Sequence, residues 1–358
     1  MILNSVSQSR DNNFNFLRLL CALGVLLAHS HLVFTGQSLE WSLLGVRIDH
    51  LLVSVFFAIS GFLICKSLLQ SDDLKRYFAA RALRLLPALL ALLLITVLVV
   101  GPLFTTLSRH DYFASQLTWD YLLNANLLNI HTQFELTGVF ANAPYPNNVN
   151  TSLWTLPIEA WLYMMAAMAY CLITLGIEHW PNLNQRVLLS VGVLGLLGLS
   201  VIGHTALQHR DDDAPVMLLF ICLFYAATLA YSARTKLILR YRYAMVLWLL
   251  APLADKTALF SAYFAIAMTY SVLLLAYRPT GWIRQFNRLG DYSYGVYIYG
   301  FLVQQSTLQL WPQASFLGFV LLSSWITLLC AVASWHWLEK PCLAPLKTQH
   351  SFKGVRPI

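Results

Sequence analysis

The chain has 358 residues, of which 58% are hydrophobic and 11% charged, with a mean hydropathy of +0.62. Soluble domains carry about a quarter charged residues, which argues against a water-soluble enzyme, and the same numbers exclude a disordered chain and a disulfide-stapled secreted domain. The net charge of +7 does not point to nucleic acid, because the basic residues fall between long apolar runs rather than on one face of a soluble module. Six cysteines form no CxxC pair, so neither a disulfide framework nor a metal site is expected.

A bilayer-spanning helix needs about 20 apolar residues. Such stretches are predicted near residues 14–34, 50–69, 84–104, 155–175, 187–204, 215–232, 240–254, 257–277, 292–310 and 315–337. The expected fold class is all-α: an integral membrane helical bundle with about ten transmembrane helices. The first segment contains Arg18, carries His29 and His31 near its far end, and is followed by no small-residue cleavage site, so it reads as a retained helix rather than a signal peptide. The seventh is short and closely followed by Asp255 and Lys256, so it and the eighth are a candidate tight hairpin. One membrane domain is expected over residues 1–345, with a short cytoplasmic tail over 346–358.

Basic residues set the orientation. With the N-terminus inside, only Arg47, Arg109, Arg210 and Lys256 of the 23 Lys and Arg fall outside, which places both termini in the cytoplasm. The tail's Lys347, Lys353 and Arg356 lie on the inner side in this reading. The longest non-membrane segment, about 105–154, then faces outward, and its Asn142–Asn150 stretch holds two Pro and four Asn. Loops of this length carry a function or short helices of their own. Residues 111–128, with Tyr112, Phe113, Leu117, Trp119, Leu122 and Leu123, are expected along the membrane interface; the alternative is a solvated lid. Asn150-Thr151-Ser152 matches a glycosylation sequon, a pattern too short to carry weight.

Ionisable groups inside spanning segments are costly and mark function by default. Arg18 and His29 are separated by 11 positions, which brings them back to about 20° on one face with a rise of about 16 Å. They share a face without touching, as two stations on one path; the plainer readings are a snorkelling arginine and a histidine bonded to a carbonyl. Glu159, in the run Ser152-Leu153-Trp154-Thr155-Leu156-Pro157-Ile158-Glu159, is expected about one turn in from the outer surface at a depth similar to His29. There it would orient or charge the imidazole as a general base requires, unless it is simply a first-turn glutamate favoured by the helix dipole. Arg81 and Arg84 lie one turn apart at a cytoplasmic helix end, suited to a two-pronged phosphate site or to topological charge alone. Ser60-Gly61 reads as a close helix-packing spot.

These pieces together resemble the membrane acyltransferase family 3 of polysaccharide O-acyltransferases. The resemblance is carried by Asn15-Phe16-Leu17-Arg18 with His29, Phe56 to Phe62, Arg81-x-x-Arg84 followed by Pro87, Ser152-Leu153-Trp154-Thr155-Leu156 through Glu159, Ser293-Tyr294-x-x-Tyr297, and Trp337-Leu338-Glu339-Lys340-Pro341, in family order over nearly the whole chain. It implies a bacterial inner-membrane enzyme moving an acyl group, usually acetyl, from cytoplasmic acyl-CoA to a glycan hydroxyl at the outer face. The acceptor would be a cell-surface or lipid-linked saccharide such as O-antigen or exopolysaccharide. Carried over by position, His29 is the catalytic histidine with Glu159 and Arg18 as its companions. Arg81, Arg84 and Arg18 serve acyl-CoA, and Trp154, Ser60, Tyr294 and Tyr297 line substrate. No bound cofactor is implied, only acetyl-CoA as donor substrate. Partners are the acceptor glycan and membrane lipids; since the chain ends too soon after its last helix for an appended hydrolase-like domain, either the enzyme is self-contained or a separate extracytoplasmic protein completes acceptor delivery. Many relatives carry a histidine where this chain has Gly300. The alternative reading is a polytopic transporter using the same buried polar groups as binding or relay sites.

Overall fold

The computed structural model describes residues 1–9, 11–70, 73–179, 185–207 and 214–348. Each of the ten predicted segments is a helix: α1 Phe14–Thr35, α2 Ile48–Gln70, α3 Leu74–Ile95, α4 Thr155–His179, α5 Gln185–Leu207, α6 Ala214–Ser232, α7 Tyr241–Ala254, α8 Phe260–Tyr277, α9 Ser293–Leu310 and α10 Phe316–Ser334. The protein is a helical membrane bundle: among the described residues, seven helices are long and apolar enough to cross a bilayer, and Val191–Ala206 and Tyr241–Ala254 are shorter apolar helices. Between α1 and α2, Ser42–Leu43 pairs with Val46–Arg47, turned by Leu44 and Gly45 at positive φ. Arg210 and most of the predicted tail lie outside the described residues, although a helix over Lys340–Thr348 covers the beginning of that tail.

The chain divides into two compact units. The first comprises Met1–Cys21, Trp41–Asp72 and Trp161–Leu289. Its core is the pairing of α2 with α6. Phe57 stacks on Phe220 with ring centroids 4.5 Å apart, and the absent side chain of Gly61 lets the backbones close: a Cβ there would lie 2.2 Å from the Phe224 carbonyl oxygen. Ser60, 5% exposed, belongs to this same contact region. The α7–α8 hairpin forms as expected, fastened by Trp248 Nε1 donating to Ser271 Oγ at 2.8 Å and Tyr263 Oη donating to the Leu247 carbonyl at 2.6 Å.

The second unit comprises Ala22–Glu40, Asp73–Ala160 and Gly290–Ile358. Here α3 starts about ten residues before the predicted span, because Asp73 caps it by accepting from the Arg76 backbone N–H. Arg81 and Arg84 therefore sit inside a helix rather than at its end, a correction to their expected place. The helix continues through a π-turn at Thr96–Val100 to Phe104. Helices α9 and α10 pack closely, since a Cβ on Gly295 would come within 2.7 Å of Ala331 Cα.

The long connection is ordered around buried residues. Short helices cover Arg109–Ala114, Gln116–Asp120 and Tyr121–Ala125. Leu117, Trp119 and Leu123 are exposed, as an interfacial segment requires, but Tyr112 is fully buried and donates to the Val97 carbonyl at 2.9 Å. Burial pushes its phenol above the ordinary range, so it stays a donor. The following stretch is pinned along α9. Gln305 Nε2 donates to the Tyr145 and Asn148 carbonyls, Asn150 Nδ2 to the Ile298 carbonyl at 2.7 Å, and the Thr155 and Tyr297 hydroxyls share a 2.8 Å bond. From Gln305 to Tyr297, α9 rises about 12 Å. The segment thus runs down α9, and α4 begins level with Tyr297 near the α9 N-terminus, not level with the far end of α9. Asn150, 1% exposed with its amide engaged, is not a glycosylation acceptor in this fold.

Gly61→Ala should cost about 2 kcal/mol, because the clash is with backbone that no rotamer relieves. Gly198→Ala, which meets open space, should leave the detergent melting temperature equal or higher. Equal melting temperatures for the two variants would contradict the close α2–α6 approach.

Candidate active site

Within the second unit, α1 and α9 meet along a narrow crevice lined by Ala22, Val25, Leu26, His29, Val296, Tyr297, Gly300, Phe301 and, from the pinned segment, Ser152. Only His29, Ser152 and Tyr297 bring polar side chains to it. His29 is half-buried, its ring edge-on to Phe301 at 5.4 Å. Gln304, fully buried on α9, donates from Nε2 to the Leu26 carbonyl at 2.8 Å and to Ser30 Oγ at 2.7 Å, which clamps the turn of α1 that carries His29. Gly300 keeps the wall thin, since a Cβ there would meet Leu26 Cδ1 at 2.7 Å. A half-buried imidazole beside two hydroxyl-bearing side chains, in an otherwise apolar wall, can accept a proton from a hydroxyl brought to it.

A second polar cluster holds Arg84. Its Nη2 donates to Asp291 Oδ2 and its Nη1 to Glu339 Oε2, each at 2.7 Å, and its guanidinium lies 5.6 Å from the Tyr294 ring and 5.5 Å from that of Trp335. Glu339, fully buried, sits in a π-turn at Trp335–Glu339 and also accepts from Ser334. Asp291 accepts from Ser293 at the start of α9. Tyr294 Oη donates to the Leu85 carbonyl at 2.8 Å. The planar fork of an arginine suits two carboxylates at once, so Arg84 joins α3, α9 and the end of the α10 helix.

The other candidates fall as follows. Tyr297 and His29 share the cleft. Arg81 lies one turn from Arg84, its guanidinium 5.3 Å from the Tyr77 ring. Trp154 closes the 3-10 turn Thr151–Trp154 and is half-buried. Glu159, also half-buried, is one turn along α4 from Thr155 and acts electrostatically on Tyr294. Arg18, half-buried on α1, and Ser60 belong to the first unit. Asn150, Thr155, Asp291, Gln304 and Gln305 were not singled out from sequence for a role at the site. Two adjacent glutamines in a predicted span were the available signal, because uncharged amides in lipid also demand partners.

This is the architecture of a membrane-embedded enzyme, with a histidine cleft held between helices. The model of the acyltransferase domain family matches residues 11–336, and the chain belongs to that family: it is an acyltransferase, and the transporter reading falls away. The chain is 27% identical over 340 residues to an O-acetyl transferase of Shigella phage Sf6, covering 92% of this chain and 96% of that protein. It is 27% identical over 375 residues to nodulation protein 10 of Rhizobium leguminosarum bv. viciae, with 95% of each covered. No solved structure matches.

Removing one partner of a buried ion pair costs about 3–5 kcal/mol. Arg84→Ala should therefore lower the detergent melting temperature sharply, and Arg84→Met combined with Glu339→Gln and Asp291→Asn should recover a large part of the loss. A triple variant no more stable than the single one would remove the charge cluster from the framework.

Proposed function

We propose that this acyltransferase moves an acetyl group from acetyl-CoA to a hydroxyl of a cell-surface or lipid-linked glycan across a bacterial inner membrane. The observation that carries the reading is the cleft in which His29 meets hydroxyl-bearing side chains inside an apolar wall. The printed activity of the phage relative, O-acetyl transfer, supports the choice of acyl group. The surplus of basic residues on one side of the predicted spans supports a cytoplasmic donor side and both termini inside.

In this reading His29 takes the proton of the acceptor hydroxyl as the oxygen attacks the thioester carbonyl. Direct transfer needs no acyl-histidine. Glu159, expected at the depth of His29, instead lies a turn beyond Thr155 toward Tyr294 and serves as the acidic group of this region, with Trp154 in the turn that leads into α4. Arg81 meets the CoA phosphates. Arg84, whose fork is taken by Asp291 and Glu339, orients this end of α3 rather than binding phosphate. An extracytoplasmic partner protein delivers the acceptor, and membrane lipids surround the bundle. Neither nucleic acid nor a bound cofactor enters.

Cells expressing the His29→Ala variant at normal membrane levels should lose the glycan ester that wild type adds, read by mass spectrometry and NMR of surface glycans. An unchanged ester content would remove His29 from the reaction. In membrane vesicles, Arg81→Ala should raise the KM for acetyl-CoA about tenfold, equivalent to about 1.4 kcal/mol, with no change in melting temperature. A normal KM would sink the phosphate role.

A further inference from the structure

We infer that Tyr297 is a catalytic residue whose phenolic hydroxyl stabilises the oxyanion formed on the acyl carbonyl. The inference rests on the acyl-transfer reading and adds the group that receives the negative charge. A general base moves a proton but does nothing for the carbonyl oxygen. In an apolar, water-poor cleft, charge developing there needs a fixed donor. Of the three polar side chains lining the cleft, His29 is committed to the acceptor proton, and two hydroxyls remain. The phenol is the stronger acid of the two, with an ordinary pKa near 10 against the far less acidic alcohol of Ser152.

Tyr297 is also positioned as an oxyanion donor must be. Its Oη is 2.8 Å from Thr155 Oγ1. The oxyanion role requires Thr155 to donate to the phenol oxygen when substrate is bound, so that the phenol gives its own proton to the carbonyl. Thr155 is held in turn by the pinned segment: Asn150 is anchored on the Ile298 carbonyl, one residue beyond Tyr297, and its Oδ1 accepts from the Ser152 N–H. The donor is therefore fixed before substrate arrives, and pre-organisation is what gives such a group its catalytic value.

The step balances as follows. The acceptor oxygen forms a bond to the thioester carbon while its proton passes to His29. The carbonyl π pair moves onto oxygen, which accepts a hydrogen bond from Tyr297. As the carbonyl re-forms, the C–S bond breaks, and the departing sulfur takes the proton from the imidazolium. An ester and free CoA thiol result.

The test uses inverted membrane vesicles carrying the full chain, [14C]acetyl-CoA as the probe and the vesicles' own glycan as acceptor. Tyr297→Phe should lower the rate of ester formation at saturating acetyl-CoA by roughly 30-fold or more, since one oxyanion donor is worth about 10²–10³. The KM for acetyl-CoA should stay within about twofold and the melting temperature should be unchanged. Thr155→Val, which leaves the phenol in place, should lose less than about fivefold. The inference is overturned if Tyr297→Phe keeps more than a third of the rate, if Thr155→Val loses as much as Tyr297→Phe, or if the loss tracks a lowered melting temperature. His29→Ala separates the two levels of reading. An inactive His29→Ala with an active Tyr297→Phe removes only the oxyanion role, whereas a fully active His29→Ala removes the acyl-transfer reading itself.

Discussion

Helix α9 is too polar for lipid, and the second unit is organised by the need to satisfy it. Of the long helices, α9 is absent from both the spanning set and the shorter apolar set, yet most of its residues are buried. In a medium without water every such group must find a protein partner. Asp291 and Ser293 at its start meet each other and Arg84, Tyr294 reaches α3, Tyr297 reaches Thr155, Gln304 reaches α1, and Gln305 reaches the pinned segment. Together these bonds recruit α1, α3 and the pinned segment, so the helix least able to live in lipid becomes the post on which the unit hangs.

The same constraint separates framework from chemistry. Arg84 is held by two carboxylates and two aromatic faces, an arrangement that ties α3 to the end of the α10 helix. His29 instead lies in a wall that is mostly aliphatic, with an aromatic edge and few polar neighbours in the cleft lining. Counter-charges on Arg84 hold its neighbours in place.

The membrane helices were legible because apolar runs of spanning length have few alternative uses, and the α7–α8 hairpin was legible because Asp255 and Lys256 interrupt such a run. The start of α3 was not, since Lys75, Arg76 and Arg81 lower its hydropathy while Asp73 and good helix formers extend the helix regardless. The functional residues divide similarly. His29 stood out as an ionisable group in an apolar run and Arg84 as one of a basic pair at a helix end, but the partners of Arg84 lie 207 and 255 residues away, a pairing that no local pattern carries. The Asn- and Pro-rich stretch before α4 has the composition of an exposed turn. Its burial depends on Ile298 and Gln305, 148 and up to 160 residues further along.

That separation sets an order of events during synthesis. The stretch from Tyr145 to Thr155 leaves the ribosome long before α9 does, and until α9 is inserted its carbonyls and the Asn150 amide have no α9 to bond. Non-local closure of this kind comes late. The cleft around His29 therefore comes into being only when the ninth helix docks, and a nascent chain that already holds His29, Ser152 and Glu159 is still without a site.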